Sequence, residues 1–110
     1  MEMDDLIQGF LDEANELIVN IEDSLFNLEK QPDDKEAIAA VFRVMHTLKG
    51  SGAMFGFSSV SSFTHHLESI YDQIRSNKIE LSKEILNLTF ESIDLIKKLL
   101  ETTETPSGKV

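Results

Sequence analysis

From Leu6 to Leu28 the apolar positions recur in steps of three and four: Leu6, Ile7, Phe10, Leu11, Ala14, Leu17, Ile18, Ile21, Leu25 and Leu28. That spacing draws one apolar stripe along an amphipathic helix of about six turns. Asp4 or Asp5 is placed to cap it, acids in its first turns complement the helix dipole, and Gly9 is a small local weakness. Pro32 stops it, because proline disfavours helical backbone in the residue before it. Asp33 and Glu36 have the spacing of a capping box, with aspartate in place of Ser or Thr, so a second helix should begin near Asp34. It carries Ile38, Val41, Phe42, Met45 and Leu48 to about Met54, and Gly56 suits a left-handed terminator. Phe55 and Phe57, on either side of that glycine, are expected to pin the turn against the bundle.

Ser58 or Ser59 is the expected cap of a third helix, with Val60, Phe63, Leu67, Ile70 and Ile74 as its core stripe. Ser76-Asn77-Lys78 breaks the pattern, and Ser82 can cap a fourth helix. Its inward positions would be Ile85, Leu86, Leu88, Thr89, Ile93, Ile96, Leu99 and Leu100. No segment alternates as a strand does, and no repeat is evident. Four amphipathic helices joined by short connections predict an all-α fold, an antiparallel up-down-up-down four-helix bundle. Residues 1–103 form the expected domain. Residues 104–110, with Pro106 and Gly108, read as a flexible tail or the start of a linker.

Charge narrows the partners. A formal net charge of −10 over 110 residues opposes nucleic acid, where affinity comes largely from neutralising phosphates, and equally opposes an anionic membrane surface. Most of these carboxylates serve solubility. The absence of cysteine removes disulfides, thiolate metal sites and cysteine nucleophiles. No apolar run approaches the ~20 residues that span a bilayer, and the acidic start is unlike a signal peptide. The expected location is cytoplasmic.

Candidate chemistry gathers on two polar stripes at the edges of the apolar ones. On the second helix His46, Lys49, Gly50 and Ala53 share a face. Gly50 and Gly52 each cost the helix about 1 kcal/mol relative to alanine, so something should approach the backbone closely there. On the third helix the stripe is Ser61, His65, Glu68 and Asp72. A lone histidine on a helix is usually a boundary residue. Here two such stripes lie on helices that a short turn makes antiparallel, so they can face each other. A carboxylate at Glu68 would fix the tautomer of His46 and raise the basicity of its other nitrogen. Histidine can form covalent intermediates, and Lys49 offers positive charge where a transferred phosphoryl would sit. The small residues Gly50, Ser51, Gly52 and Ala53 leave the face open to an incoming protein.

The run His46-Thr47-Leu48-Lys49-Gly50-Ser51-Gly52-Ala53-Met54-Phe55-Gly56-Phe57 resembles the signature of histidine phosphotransfer domains, especially the amino-terminal ones of CheA-type chemotaxis kinases. Phe42-Arg43, Thr64-His65, Leu67-Glu68 and the opening Phe10-Leu11-Asp12-Glu13-Ala14-Asn15-Glu16-Leu17 fit in the same register. The resemblance implies a four-helix core, with the fifth helix often found in the family absent or truncated, and a phospho-accepting histidine at His46. It makes Glu68 the carboxylate bonded to that imidazole, Lys49 and His65 polar assistants, and Gly50, with Ser51 and Ala53, the docking face. His66 matches no role. The expected partners are a histidine kinase catalytic domain and a response-regulator receiver domain, with the domain itself monomeric.

No glycine-rich nucleotide loop or kinase motif is present. The resemblance therefore implies a substrate and carrier excised from a larger kinase, with a linker from near Thr105. ATP and Mg²⁺ would belong to the partner domains, and no cofactor or metal is expected on this one. Two other readings compete. A bundle metal site could use His46, His65 and Glu68, although the His-x-x-Glu order and the nearby Lys49 disfavour it. A purely structural or partner-binding bundle accounts for the apolar stripes but leaves the Gly50–Ala53 run and the facing polar stripes as accidents.

Overall fold

The computed structural model describes residues 2–102, so the expected boundary at 103/104 and the tail lie outside the described residues. Four helices follow one another: α1 (Met3–Lys30), α2 (Lys35–Met54), α3 (Ser58–Arg75) and α4 (Lys83–Thr102). Each packs on its neighbours in the ring α1–α2–α3–α4–α1, and α2 with α3 form the most extensive pair. The result is the up-down-up-down bundle, 45 Å long and 20 Å across. Its core is the stripe that periodicity predicts: Phe10, Ala14, Ile18, Ile21, Leu25 and Leu28 from α1, Ile38, Val41, Met45 and Leu48 from α2, and Leu86, Ile93, Ile96 and Leu100 from α4.

The joint between α2 and α3 fixes everything that follows. Gly56 adopts φ 86°, a left-handed backbone that costs a residue with a Cβ. The Phe57 amide donates to the Gly52 carbonyl at 2.7 Å and the Gly56 amide to that of Ala53 at 3.4 Å, so α2 ends in a Schellman motif. Phe55 and Phe57 pin that turn as expected, their rings 5.5 Å and 5.0 Å from the ring of Phe10 on α1. At the far end of α3, Asn77 takes φ 63°, and the Lys78 amide returns to Gln73 at 2.9 Å in a second closure of this type.

Several local expectations need correction. Asp4 and Asp5 lie in the first turn of α1, whose N-cap position is Glu2, and no side chain caps it. Asp34 rather than Asp33 caps α2, accepting from the amides of Glu36 and Ala37. Neither Ser58 nor Ser59 caps α3. The buried Phe57 holds that position, because packing on Phe10 places it there, and only its carbonyl serves the helix, accepting from Ser61. Ser82 does cap α4, its Oγ accepting from the Ile85 amide at 3.1 Å.

The buried arc of α3 is also turned from the expected one. Phe63 and Ile70 are half-buried flanks, while Thr64, Glu68 and Tyr71 face inward with Val60, Leu67 and Ile74. On α4, Leu88 is 50% exposed and Ser92 is buried in its stead; on α1, Leu6 is exposed. Tyr71 explains the turn of α3. Its hydroxyl reaches Thr89 Oγ1 on α4 at 2.7 Å, and Thr89 spends its own proton on the Ile85 carbonyl. Tyr71 is therefore the donor, and both buried hydroxyls are satisfied.

Burial pushes the Tyr71 phenol up to about 12, against a smaller opposing effect of the Thr89 bond. The unfolded chain loses this proton near pH 10 and the folded one holds it, so stability should fall as pH rises above 10. The chain has one tyrosine and no tryptophan, so absorbance titration of the phenolate reads this residue alone. The expected midpoint is near 12; a midpoint near 10 contradicts the buried donor. Tyr71→Phe should cost about 1 kcal/mol in urea unfolding near neutral pH and flatten the alkaline decline.

Candidate functional site

Where α2 and α3 run closest, their polar edges meet. A Cβ on Gly52 would lie 3.4 Å from the Phe57 carbonyl oxygen and 3.5 Å from the Ser61 amide nitrogen, so the start of α3 packs directly over this buried residue with room for no more than a methyl group. Gly50 differs. Nothing lies within 4 Å of a Cβ built there, and its face is open to solvent. The close approach anticipated for the two glycines is thus internal at Gly52 and unfilled at Gly50. Ser61 Oγ donates to the Lys49 carbonyl at 2.9 Å, tying the helices at the level of the site.

Glu68 is the centre of the arrangement. It is only 8% exposed, and both carboxyl oxygens are engaged from α2. His46 Nδ1 lies 2.5 Å from Oε2 and Lys49 Nζ donates to Oε1 at 2.8 Å. Burial alone would push the carboxyl up. The hydrogen bonds from Lys49 and His46, with the charges behind them, outweigh it and hold Glu68 below the usual carboxylate range. An ionised carboxylate only accepts, so Nδ1 carries the proton in this bond. In the neutral imidazole Nε2 then has a free lone pair. The His46 side chain is 63% exposed, so that nitrogen sits on an accessible ring. A basic nucleophile, a fixed tautomer and an adjacent cation suit capture of an electrophilic, anionic group.

The structure brings together three of the four polar residues expected here, His46, Lys49 and Glu68. It does not join His65 to them: that residue is exposed and its ring stacks on His66 at 6.3 Å. Gly50 and Ala53 are exposed beside His46 and Ser51 is half-buried. Lys49, read from sequence as a charge for an incoming group, is bound to Glu68. Among the described residues no three His, Asp or Glu side chains converge to hold a metal ion, and Lys49 takes the Glu68 oxygen that a metal would need.

Sequence patterning passed over two neighbours. Phe42, one turn before His46, has its ring 6.1 Å from the imidazole and inclined by 20°. The Arg75 guanidinium carbon lies 3.9 Å from the centre of the Phe42 ring. The i, i+4 spacing of Phe42 and His46 was the available signal for the first; no local signal marks the second, because Arg75 lies 33 positions beyond Phe42 in the chain.

The chain matches the Hpt domain family over residues 5–105. It belongs to that family. It is 39% identical to the chemotaxis protein CheA of Klebsiella aerogenes across 96% of its own length, and 35% identical to that of Borreliella burgdorferi across 91%. It spans only 16% and 12% of those two proteins. Among solved structures, the CheA phosphotransferase domain from Thermotoga maritima superposes with a TM-score of 0.88 at 35% identity, covering 93% of this chain and 97% of that one. A histidine phosphotransfer domain of CheA gives 0.87 at 35% identity, covering 96% and 79%. Among the described residues, no helix is long and apolar enough to cross a membrane.

Because Glu68 is held below its usual value, the stability it contributes is present above pH 4.5 and is lost as pH falls through its folded value. Glu68→Gln keeps the shape and removes the charge. It should cost about 1 kcal/mol near neutral pH, and the gap to the unmodified protein should close on the acid side. Urea unfolding at about pH 6 and about pH 3 measures this; a gap of equal size at both would contradict an ionised Glu68.

Proposed function

We propose that the domain is a phosphorelay carrier of chemotaxis-type two-component signalling, and that His46 accepts and donates the phosphoryl group. The observation that carries this reading is the Glu68 carboxylate on Nδ1 of an exposed imidazole, in a chain of the Hpt family. A separate histidine kinase catalytic domain would present ATP with its Mg²⁺. The Nε2 lone pair attacks the γ-phosphorus and a P–N bond forms. The bond from that phosphorus to the β,γ-bridging oxygen breaks, and ADP leaves with its electron pair. Positive charge then grows on the imidazole, where Glu68 offsets it through Nδ1–H. In the second transfer an aspartate carboxylate of a response-regulator receiver domain attacks phosphorus, and the P–N electrons return to Nε2. Such transfers need alignment and charge stabilisation more than covalent help from the protein.

In this reading the domain is a substrate and carrier, with nucleotide and metal ion held by its partners. Lys49 offers its remaining N–H donors to the phosphoryl oxygens, since an ammonium has three and Glu68 takes one. His65 lies on the neighbouring surface, where a docked partner could meet it. Gly50, Ser51 and Ala53 form the face on which partners seat, and their small side chains let a catalytic cleft close over His46.

Incubation with a CheA-type kinase domain and γ-labelled ATP tests the assignment. His46→Gln should abolish labelling with helix content unchanged. The label should be lost in acid and kept in base, as a phosphoramidate requires. A label that persists in His46→Gln, or survives strong acid, contradicts the proposal. A second outcome separates docking from folding. Gly50→Leu replaces an exposed helical glycine with open space around it, so the variant should be more stable by up to about 1 kcal/mol. It should nevertheless be a poorer phosphoryl acceptor. A Gly50→Leu variant labelled at the normal rate would remove Gly50 from the docking face.

A further inference from the structure

The Glu68 bond fixes one atom of the His46 ring but not its plane. A single hydrogen bond to an exposed ring lets it swing about the bond, and Nε2 would then sweep an arc. A second contact opposes this swing. Phe42 lies 6.1 Å from the imidazole at an inclination of 20°, within the range of an offset aromatic pair. On α3 the residues Glu68, Asp72 and Arg75 share the stripe that faces α2. Arg75 reaches over the Phe42 ring with its guanidinium carbon 3.9 Å from the centroid. Its Nε donates to Asp72 Oδ1 at 2.9 Å, which aims the guanidinium. Phe42, Glu68, Ser69, Asp72 and Arg75 line a shallow pocket of about 220 Å³ at this junction.

We propose that Phe42, clamped by the Asp72-oriented Arg75, is a positioning residue that sets the plane of the His46 imidazole and hence the direction of Nε2. The contact is built from both helices. Phe42 belongs to the nucleophile's own helix and Arg75 to that of the carboxylate, so the pairing that delivers Glu68 also delivers the clamp. A planar guanidinium on an aromatic face adds attraction that survives partial exposure. Phe42 does not touch the phosphoryl group. Its effect is on alignment, for which misplacement of the reacting atom by about 1 Å can cost two orders of magnitude in rate. The inference rests on the phosphoryl-accepting role of His46 for its kinetic consequence, and on the ring contact alone for its structural one.

The test uses the domain as it stands with Phe42→Leu, Phe42→Tyr and Arg75→Gln variants. With a CheA-type kinase domain and ATP, Phe42→Leu should lower kcat for phosphorylation about tenfold while KM for the domain stays within about twofold. Phe42→Tyr keeps the ring and should restore the rate. Arg75→Gln should give a partial loss. NMR of the His46 ring reads the contact without any kinase: its Cε1–H and Cδ2–H protons should lose the ring-current shift in Phe42→Leu and keep it in Phe42→Tyr. Equal kcat for Phe42→Leu and the unmodified protein, equal impairment of the Leu and Tyr variants, or unmoved His46 resonances in Phe42→Leu would each overturn the proposal. If the unmodified protein takes no label at all, the carrier reading fails, and the NMR comparison still decides whether Phe42 holds the ring.

Discussion

A carboxylate taken out of water is costly unless donors replace the lost solvent, and Glu68 is nearly sealed in the groove between α2 and α3. Its donors, His46 and Lys49, both come from the opposite helix. The interaction therefore exists only in the register that those two helices adopt, and that register is the common requirement behind the other local features. The start of α3 packs directly over Gly52, Gly56 reverses the chain with the left-handed residue the turn needs, and Ser61 bonds the Lys49 carbonyl across the same gap. The aromatic group of Phe10, Phe55 and Phe57 holds the turn from the side of α1. Each looks like ordinary bundle packing. Together they hold one carboxylate within bonding distance of one imidazole.

That carboxylate has two effects in one bond. Ionised, it dictates that Nδ1 is the protonated nitrogen, which settles by elimination where the lone pair lies. In the proposed transfer it is also the counter-charge for an imidazole that becomes cationic. A protonated Glu68 would provide neither. The ammonium of Lys49 is the first of the influences that keep it ionised against its burial. Lys49 thus supports His46 through Glu68, beyond any contact of its own with an incoming group.

Much of this was legible in the order of residues, and the misplaced faces have a common cause. Periodicity of three and four gives the face of a helix but only to within about one residue's rotation, some 100°. It therefore put His46 with Lys49, and His65 with Glu68, at the edges of their helices. It could not say that α3 would turn Glu68 inward and leave His65 on the surface with His66. That rotation is fixed by Tyr71, whose hydroxyl must find Thr89 on α4 once buried. Phe63 and Leu88 were misplaced for the same reason, since the arc that the bundle buries is a joint property of two helices. The caps failed differently. Serine at 58 or 59 has the right chemistry, but Phe57 occupies the N-cap position because the core holds its ring, and tertiary packing outweighs a cap worth about 1 kcal/mol. Ser82, with no such competitor, caps as its type suggests.

The guanidinium of Arg75 on Phe42 is a contact that patterning had no means to reach, and it bears on how few residues such a site needs. An exposed nucleophile is open to any partner, yet exposure also frees it to turn. Enclosing the ring would solve the second problem and defeat the first. The structure avoids that choice by restraining His46 with a bond at Nδ1 and a ring face at Phe42, while the side chain stays 63% exposed. The first restraint comes from α3 through Glu68, and the second, carried by α2 itself, is backed from α3 by Arg75. Relative sliding of α2 and α3 would therefore break the bond at Nδ1 and unclamp the Phe42 ring at once. On this argument, the length and tightness of the α2–α3 contact, and not any enclosure of the site, determine how well an imidazole in plain view of solvent can keep its aim.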